Sequence, residues 1–99
     1  MNAVRFQDDA RQEFLDAALD MAMARPGYGV RLRAETYDLL SLVSGQPRIG
    51  SPIRRTDCRR MILTGFPFSL IYRLDGDVIE VVAFAHHSRK PGYWKDRLS

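Results

Sequence analysis

The chain has 99 residues, of which 45% are hydrophobic and 27% charged, so we expect one folded domain over residues 1–99 rather than a disordered chain or two independent domains. Its longest apolar stretch, Val81–Ala85, is far shorter than the roughly 20 residues that cross a bilayer, and residues 1–10 lack the apolar run of a secretory signal, so we expect a cytoplasmic protein without a membrane span. The formal net charge is +3, and thirteen of the fifteen basic residues are Arg, whose planar guanidinium suits carboxylates and phosphates, which favours an acidic protein or a nucleic acid as partner.

The first half of the chain predicts a strand followed by two helices. Ala3–Phe6 is a short β-prone opening, and Asp8-Asp9 suits the positively charged first turn of a helix. Apolar residues then recur at spacings of three and four, which predicts helix one over about Asp9–Ala24. Arg25-Pro26-Gly27 ends this helix, because the residue before Pro avoids the α region and Gly tolerates a positive φ. The same spacing resumes over about Tyr28–Val43, so we expect a second helix and a tight helical hairpin.

The second half of the chain changes to strand-like patterning after a loop, Gly45–Pro52, that holds two Gly and two Pro. Three strands are predicted, over Arg59–Leu63, Phe68–Leu74 and Val78–His86. Asp75-Gly76 is a two-residue turn signal that needs a positive φ. It predicts that the last two strands pair antiparallel.

The order of these elements predicts the fold class. Strict alternation along the last strand puts four apolar residues on the face that we expect to meet the helices, namely Ile79, Val81, Ala83 and Ala85. The order is β-α-α-β-β-β, which leaves room for a final turn of helix after Pro91. We therefore predict an α+β fold in which an antiparallel C-terminal meander packs against a two-helix hairpin.

Basic residues are concentrated in the second half, where residues 51–99 carry nine basic and five acidic residues. Arg54-Arg55, which could extend the first meander strand, and Arg59-Arg60 form one cluster. A charge facing the helices would be costly to bury, so we expect at least one of Arg59 and Arg60 on the open face of the sheet. Two interpretations stay open: solvated charges that discourage edge pairing, or contacts to phosphate or carboxylate groups.

A second cluster, His86–Trp94, follows the last strand. Its His residues could act as a general base, Arg89 or Lys90 could stabilise a phosphate, and Tyr93 or Trp94 could stack on a nucleic-acid base. The alternative is structural, with hydrogen-bonded His rings and Trp94 packed onto the core. We expect no metal site, because neighbouring strand residues point to opposite faces and no third ligand is evident.

Two isolated residues have a structural and a chemical interpretation. Cys58 is the only cysteine, so no internal disulfide can form, and packing is favoured over a nucleophile paired with His. Glu80 lies inside a strand, where an ion pair with an Arg across the sheet is favoured over acid-base chemistry. No nucleotide-binding, dinucleotide-binding, zinc-protease or serine-hydrolase motif occurs, and we expect no cofactor.

Three segments in order, Gly65–Asp77 (GFPFSLIYRLDGD), Val82–His87 (VAFAHH) and Pro91–Trp94 (PGYW), resemble the RelE/ParE toxin family. The opening strand, the helix start at Asp8–Arg11 and the hairpin at Pro26-Gly27 fit that family in order and length. The resemblance implies a bacterial toxin of a type II toxin–antitoxin system. It also implies a hetero-oligomer in which the C-terminal segment of a small antitoxin wraps the toxin and holds it inactive.

One branch of this family, the RelE type, cuts mRNA on the ribosome. Its members use basic residues on the central strands, a basic residue just after the last strand, and an aromatic residue or His near the C-terminus. Carried over residue by residue, the resemblance implies these catalytic candidates: Arg59, Arg60, Arg89, Tyr93, His86 and His87.

The other branch, the ParE type, poisons DNA gyrase without a recognised catalytic set. A gapless comparison puts Ser88 where the nuclease branch has a basic residue and Trp94 where it has Tyr, and the chain has only two Lys. We therefore favour a gyrase inhibitor, with an mRNA endonuclease as the alternative and a non-toxic protein-binding module as a third. Charge and aromatic clustering predict the partner- or target-binding residues Arg54, Arg55, Arg89, Lys90, Tyr93 and Trp94.

Overall fold

Two helices and a five-stranded mixed sheet form the α+β fold that the sequence predicts. The computed structural model describes residues 1–98. In chain order the elements are β1 (Ala3–Phe6), α1 (Asp8–Ala24), α2 (Tyr28–Gly45), β2 (Ser51–Pro52), β3 (Cys58–Ile62), β4 (Phe68–Asp75), β5 (Val78–His86) and a 3-10 helix (Lys95–Leu98). The predicted order and the final turn of helix are confirmed, and the short strand β2 is an addition. Neither helix within residues 1–98 has the length and apolar character of a membrane span.

The Arg54-Arg55 pair lies outside the strands. The chain reverses between β2 and β3, where the Thr56 backbone N–H donates to the Ile53 carbonyl oxygen at 3.2 Å. Arg55 has a φ of 64°, which is left-handed backbone and incompatible with a strand. The pair is therefore part of a turn and does not extend β3 as the sequence had suggested.

The strand order in the sheet is β1-β5-β4-β3-β2. β1 pairs parallel with β5, and the other neighbours pair antiparallel. A parallel neighbour needs a crossover, which the two helices supply before the chain returns as the meander. Asp75-Gly76 turns as predicted, with Gly76 at a φ of 62° and Asp75 opposite Val78.

The two helices form a close hairpin because two glycines permit it. Gly27 has a φ of 84°, the left-handed conformation that lets α2 begin directly after α1 ends. At Gly29 a Cβ atom would lie 2.7 Å from the Ala18 carbonyl oxygen and 2.9 Å from the Ala22 Cβ. Only a residue without a side chain allows the helix backbones to approach this closely.

The main core lies between the helical hairpin and one face of the sheet. An aromatic group at its centre joins α1 to β4 and β5: the Phe14 and Phe84 ring centroids are 5.2 Å apart, and those of Phe68 and Phe84 are 4.9 Å apart. Leu32 of α2 and Leu70 of β4, both fully buried, belong to the same cluster. This core holds the helices on one face and leaves the opposite face, which we call the open face, for the C-terminal part of the chain.

A β-bulge interrupts the alternation of β5. Ile71 of β4 lies opposite Ala83, but the next residue, Tyr72, lies opposite Val81. Val82 is therefore an extra residue in β5 without an opposite residue in β4. Such an insertion moves every later side chain of the strand to the other face.

The bulge contradicts the predicted all-apolar face of β5. Val81, before the bulge, and Phe84, after it, both pack against the helices. Ala83 and Ala85 instead belong to a second cluster on the open face, together with Trp94. The prediction failed because strict alternation assumes a regular strand, and the extra residue shifts the alternation by one position.

Residues 87–98, which we call the C-terminal segment, cross part of the open face. Trp94 is their anchor, because only 4% of its surface is exposed and it packs in one cluster with Cys58, Ile71 and Val82. Both faces of the sheet are thus covered near the end of β5, and the remaining part of the open face forms the cleft described next.

Candidate functional site

A cleft lies on the open face, between β3, the end of β5 and the C-terminal segment. Its volume is about 430 Å³. Four cationic side chains line it, and none of its lining residues within 1–98 is acidic. The four are Arg60, Arg89, Lys90 and Lys95. We call this feature the cationic cleft.

Strand alternation separates the two arginines of β3. Arg60 lines the cationic cleft together with Ile62. Arg59 belongs to the other face, and its guanidinium donates hydrogen bonds to the carbonyl oxygens of Arg48 and Gly50 at 3.0 and 2.9 Å. Arg60 is thus the member of the pair that lies on the open face, as alternation predicts, whereas Arg59 holds the loop before β2.

The two histidines have separate partners. The His86 ring contacts Phe68 edge-on at 5.0 Å, and its Nδ1 accepts a hydrogen bond from the Ser88 backbone N–H at 3.0 Å. The Nε2 of His87 lies 3.0 Å from the Oγ of Ser69 at the cleft wall. Within residues 1–98 no three side chains of His, Cys, Asp or Glu are grouped as metal ligands.

Tyr93 is held on both its ring and its hydroxyl. The Arg89 guanidinium lies 3.8 Å from the ring centroid and that of Arg97 lies 5.2 Å from it. The hydroxyl donates to the Glu13 Oε2 at 2.6 Å. Burial, and then the Glu13 carboxylate, raise the pKa of Tyr93 well above its ordinary value. Tyr93 is therefore a fixed hydrogen-bond donor at neutral pH and a poor proton acceptor.

Glu13 of α1 is the centre of this network. Besides the Tyr93 hydroxyl, its carboxylate accepts two hydrogen bonds from the Arg97 guanidinium, at 2.8 and 3.1 Å, and one from the Phe84 backbone N–H at 3.1 Å. Arg89 lies at 3.9 Å. Burial by itself would raise the pKa of Glu13, but the bonds from Arg97, Tyr93 and Phe84 outweigh it and hold the pKa below the ordinary value.

The Glu13–Arg97 ion pair also binds backbone groups of β5 that have no neighbouring strand. β1 ends opposite Val81, so β5 has no strand neighbour on that side beyond this point. The Phe84 N–H donates to Glu13, and the Val82 carbonyl oxygen accepts from Arg97 at 3.1 Å. Buried backbone groups need partners, and here side chains supply them.

The sequence analysis missed Glu13 and Arg97. Their separation along the chain is 84 residues, so no local spacing links them. One signal was available, because Glu13 lies three residues after Ala10 and four before Ala17, both buried. A carboxylate beside an apolar helix stripe indicates a partner in the core.

The sites of Trp94 and Cys58 favour their structural interpretations. Trp94 is almost fully buried, so it offers little surface to a target, although the sequence analysis had included it among the contact residues. Cys58 is 1% exposed, and burial, followed by the charge of Asp57, raises the pKa of its thiol to about 11. The thiol stays protonated at neutral pH and is a weak nucleophile.

Glu80 forms the cross-strand ion pair that the sequence favoured. Its carboxylate lies 2.9 Å from the Arg5 guanidinium and 2.8 Å from that of Arg73, and both arginines are its register partners in the neighbouring strands. Burial would raise the pKa of Glu80, but these hydrogen bonds outweigh it and lower the pKa. Glu80 is structural, and neither it nor Arg54-Arg55 lines the cationic cleft.

Comparison with known families identifies the family of this chain. The family model described as the ParE toxin of type II toxin–antitoxin system, parDE, matches residues 4–91. The chain belongs to this ParE toxin family. No curated protein sequence matches the chain significantly.

Solved structures similar to this ParE-family toxin come from both branches. A chain of the chromosomal ParDE toxin–antitoxin system from P. aeruginosa has 20% identity and a TM-score of 0.61, covering 87% of this chain and 96% of that one. A chain of the intact E. coli RelBE toxin–antitoxin complex has 22% identity and a TM-score of 0.67, covering 90% and 100%. The isolated E. coli RelE toxin has 21% identity and a TM-score of 0.64, covering 97% and 95%. At these identities the likeness establishes the fold.

The family match covers only part of the cationic cleft and its surroundings in this ParE-family toxin. Arg60, Arg89 and Lys90 lie within the matched residues 4–91. Tyr93 and Arg97, which bind Glu13, lie beyond them. Glu13 itself is among the matched residues, so the match includes one half of this network.

Proposed function

We propose that this toxin inhibits DNA gyrase in the bacterial cytoplasm and that a cognate antitoxin neutralises it in a hetero-oligomeric complex. The match to the ParE toxin family supports this choice of branch, since the resemblance associates that branch with gyrase. The antitoxin partner is supported by the P. aeruginosa and E. coli structures, whose names describe toxin–antitoxin complexes.

The engagement of Tyr93 supports gyrase inhibition over RNA cleavage. An RNA-cleaving site needs a group that can take or give a proton beside the scissile phosphate. The Tyr93 hydroxyl is bound to Glu13 at 2.6 Å, and its raised pKa disfavours the phenolate. The Nδ1 of His86 already accepts a hydrogen bond from Ser88. Binding without chemistry fits these occupied groups better.

One observation favours the alternative, a RelE-like ribosome-dependent mRNA endonuclease. The His87 imidazole lines the same cleft as Arg60 and Arg89, and guanidinium groups can stabilise a phosphate whose charge increases during cleavage. His87 is exposed, and imidazole is the side chain that most often serves as a general base. This cleft therefore defines the second candidate function.

We propose that the target-contacting surface includes Arg89 and Lys90, with Arg54 and Arg55 as a separate exposed patch. Arg89 is 53% exposed on its side chain and stacks on the Tyr93 ring, so Arg89→Ala should lower the free energy of unfolding by about 1 kcal/mol or less. Loss of a charged contact, by contrast, weakens binding substantially. Arg54→Ala is the matched control within the other patch, and growth inhibition by each variant shows which patch acts.

Purified components separate the two activities. We expect the toxin to inhibit supercoiling by purified gyrase and to leave ribosome-dependent translation of a reporter mRNA intact. In cells, induction should cause DNA breaks, and coexpression of the neighbouring open reading frame should restore growth. Loss of translation with cuts in the mRNA would establish the endonuclease instead. A chain that never slows growth would be a non-toxic binding module.

A further inference from the structure

The helical hairpin has an apolar outer face, on the side away from the sheet. Leu19 and Met23 of α1 are 59% and 77% exposed and, with Leu15, recur every four residues, so they form one row along the helix. Val30 of α2 is 73% exposed and lies on the same side of its helix as the exposed Tyr37. Single exposed apolar side chains are ordinary, but a group of large ones indicates an interaction site. We call these five residues the hairpin face.

One contact fixes the alignment of the two antiparallel helices. Gly29 of α2 lies against Ala18 and Ala22 of α1, and therefore at the height of the α1 residue midway between them. Because both helices rise by the same amount per residue, positions equally far from this contact lie at the same height. By this rule Asp16 of α1 is level with Arg33 of α2.

Opposite charges stand at matching heights along the hairpin. Three such pairs join α1 to α2, namely Arg11 with Asp38, Asp16 with Arg33, and Asp20 with Arg31. All six side chains are exposed, and none of them belongs to an ion pair within residues 1–98. The carboxylates between them, Glu13 and Glu35, are bound inside the chain, to Arg97 and Thr64. The six charges are thus matched in height but unpaired within one chain.

A second copy of the chain satisfies both the apolar rows and the charges. A two-fold axis parallel to the helices, above the groove between them, places α1 of one copy against α2 of the other at the same height. Each apolar row is then covered by the row of the other helix, and each of the six charges faces its opposite. An unrelated partner does not account for this match, since it only needs to complement each helix separately.

We infer that the hairpin face binds a second copy of this chain and forms a two-fold symmetric dimer with a four-helix interface. The helices cover one face of the sheet, whereas the cationic cleft lies on the open face. A dimer formed through the hairpin face therefore leaves Arg89 and Lys90 of both copies exposed. One dimer presents two target surfaces, and this inference goes beyond the proposed function because it does not depend on which target they bind.

Analytical ultracentrifugation of the purified toxin tests the dimer. Over a series from about 1 to 300 µM, the average mass should rise from that of one chain towards twice that value. A monomer at every concentration would overturn the inference.

Two matched substitutions locate the interface. Leu19→Lys removes an apolar contact at two symmetric positions and should weaken the dimer by about tenfold or more. Leu74→Lys makes the same change at an exposed position at the end of β4, outside the hairpin face, and should alter the dissociation constant by less than about twofold. Circular dichroism checks that both variants are folded. Equal effects of the two variants would overturn the inference.

Exchanged charges test the arrangement of the two copies without touching the apolar rows. Asp16→Arg and Arg33→Asp each bring like charges together twice in the dimer, so each variant alone should dimerise about fivefold more weakly or worse. An equimolar mixture of the two variants restores opposite charges at both places and should form a heterodimer with nearly the wild-type affinity. A mixture that associates no better than either variant would overturn the inference.

The same variants distinguish a second copy from another occupant. If Leu19→Lys left the mass of the toxin unchanged but abolished its binding to the product of the neighbouring open reading frame, the hairpin face would belong to that protein and the inference would fail. None of these readouts uses gyrase or growth. Absence of gyrase inhibition therefore contradicts the proposed function alone, and a monomeric toxin contradicts the inference alone.

Discussion

Glu13→Gln should loosen the C-terminal segment, because one carboxylate holds it to α1. The native Glu13 accepts from the Tyr93 hydroxyl, the Phe84 N–H and two nitrogens of Arg97. Gln keeps the length of the side chain but removes the charge and replaces one acceptor oxygen by a donor NH₂. That group would oppose one of the Arg97 donors and leave Asp9, at 3.7 Å, as the remaining acidic neighbour of the guanidinium.

The expected loss follows from the burial of the pair. Breaking a fully buried ion pair costs about 3 to 5 kcal/mol, and single hydrogen bonds to a charged group contribute about 1.5 to 3 kcal/mol. Both side chains of the Glu13–Arg97 pair are 17% exposed, so water screens part of the interaction. We expect Glu13→Gln to lower the free energy of unfolding by about 2 to 3 kcal/mol, which shifts Tm by roughly 10 to 20 °C in a chain of this size.

Urea denaturation and thermal melting of purified protein measure this loss, and a double-mutant cycle with Arg97→Gln assigns it to the pair. The double variant should lose less than the sum of the single variants. Asp20→Asn, an exposed change on the same helix, is the control and should stay within about 0.5 kcal/mol of the wild type. A loss for Glu13→Gln equal to that control, or fully additive effects in the cycle, would refute the importance of the network.

Three further predictions concern packing, pH and reactivity. Trp94→Ala should lower the free energy of unfolding by about 3 kcal/mol or more in urea denaturation, because it leaves a cavity in the cluster of buried residues on the open face. A loss as small as that of Arg54→Ala would contradict the burial of Trp94. Because the pKa of Glu80 is lowered in the folded protein, its ionised form stabilises the fold above the ordinary Glu pKa, and this stabilisation is lost as pH falls through the folded pKa. The difference in free energy of unfolding between wild type and Glu80→Gln should therefore be full at pH 7 and shrink below about pH 4. A constant difference across a pH series would disprove this. The Cys58 thiol, with a pKa of about 11, should react with a disulfide reagent at pH 8 only after denaturation, and rapid reaction of the folded protein would show an accessible thiolate.

The local elements and their order could be predicted from the amino-acid sequence alone. The helix periods, the Pro26-Gly27 break and the Asp75-Gly76 turn depend on residues close together in the chain, whose backbone preferences act before any tertiary contact forms. The same holds for the split of Arg59 from Arg60, which needs only a regular strand. The Glu80 ion pair was predictable in kind, because a carboxylate inside a strand requires a cation across the sheet.

Which side chains meet at the candidate site depends on contacts between segments that are distant in the chain. The bulge at Val82 sends Phe84 to the helices and Ala83 to the open face, and a bulge results from how two strands pair rather than from the pattern of one. Trp94 is buried because the open face beyond the bulge presents apolar residues that need cover. Glu13 meets Arg97 because β1 ends early and leaves the backbone of β5 without partners. Each outcome depends on backbone groups that need hydrogen bonds and on apolar surfaces that need to be covered, and distant segments supply both. The spacing of residues within one segment therefore does not predict it.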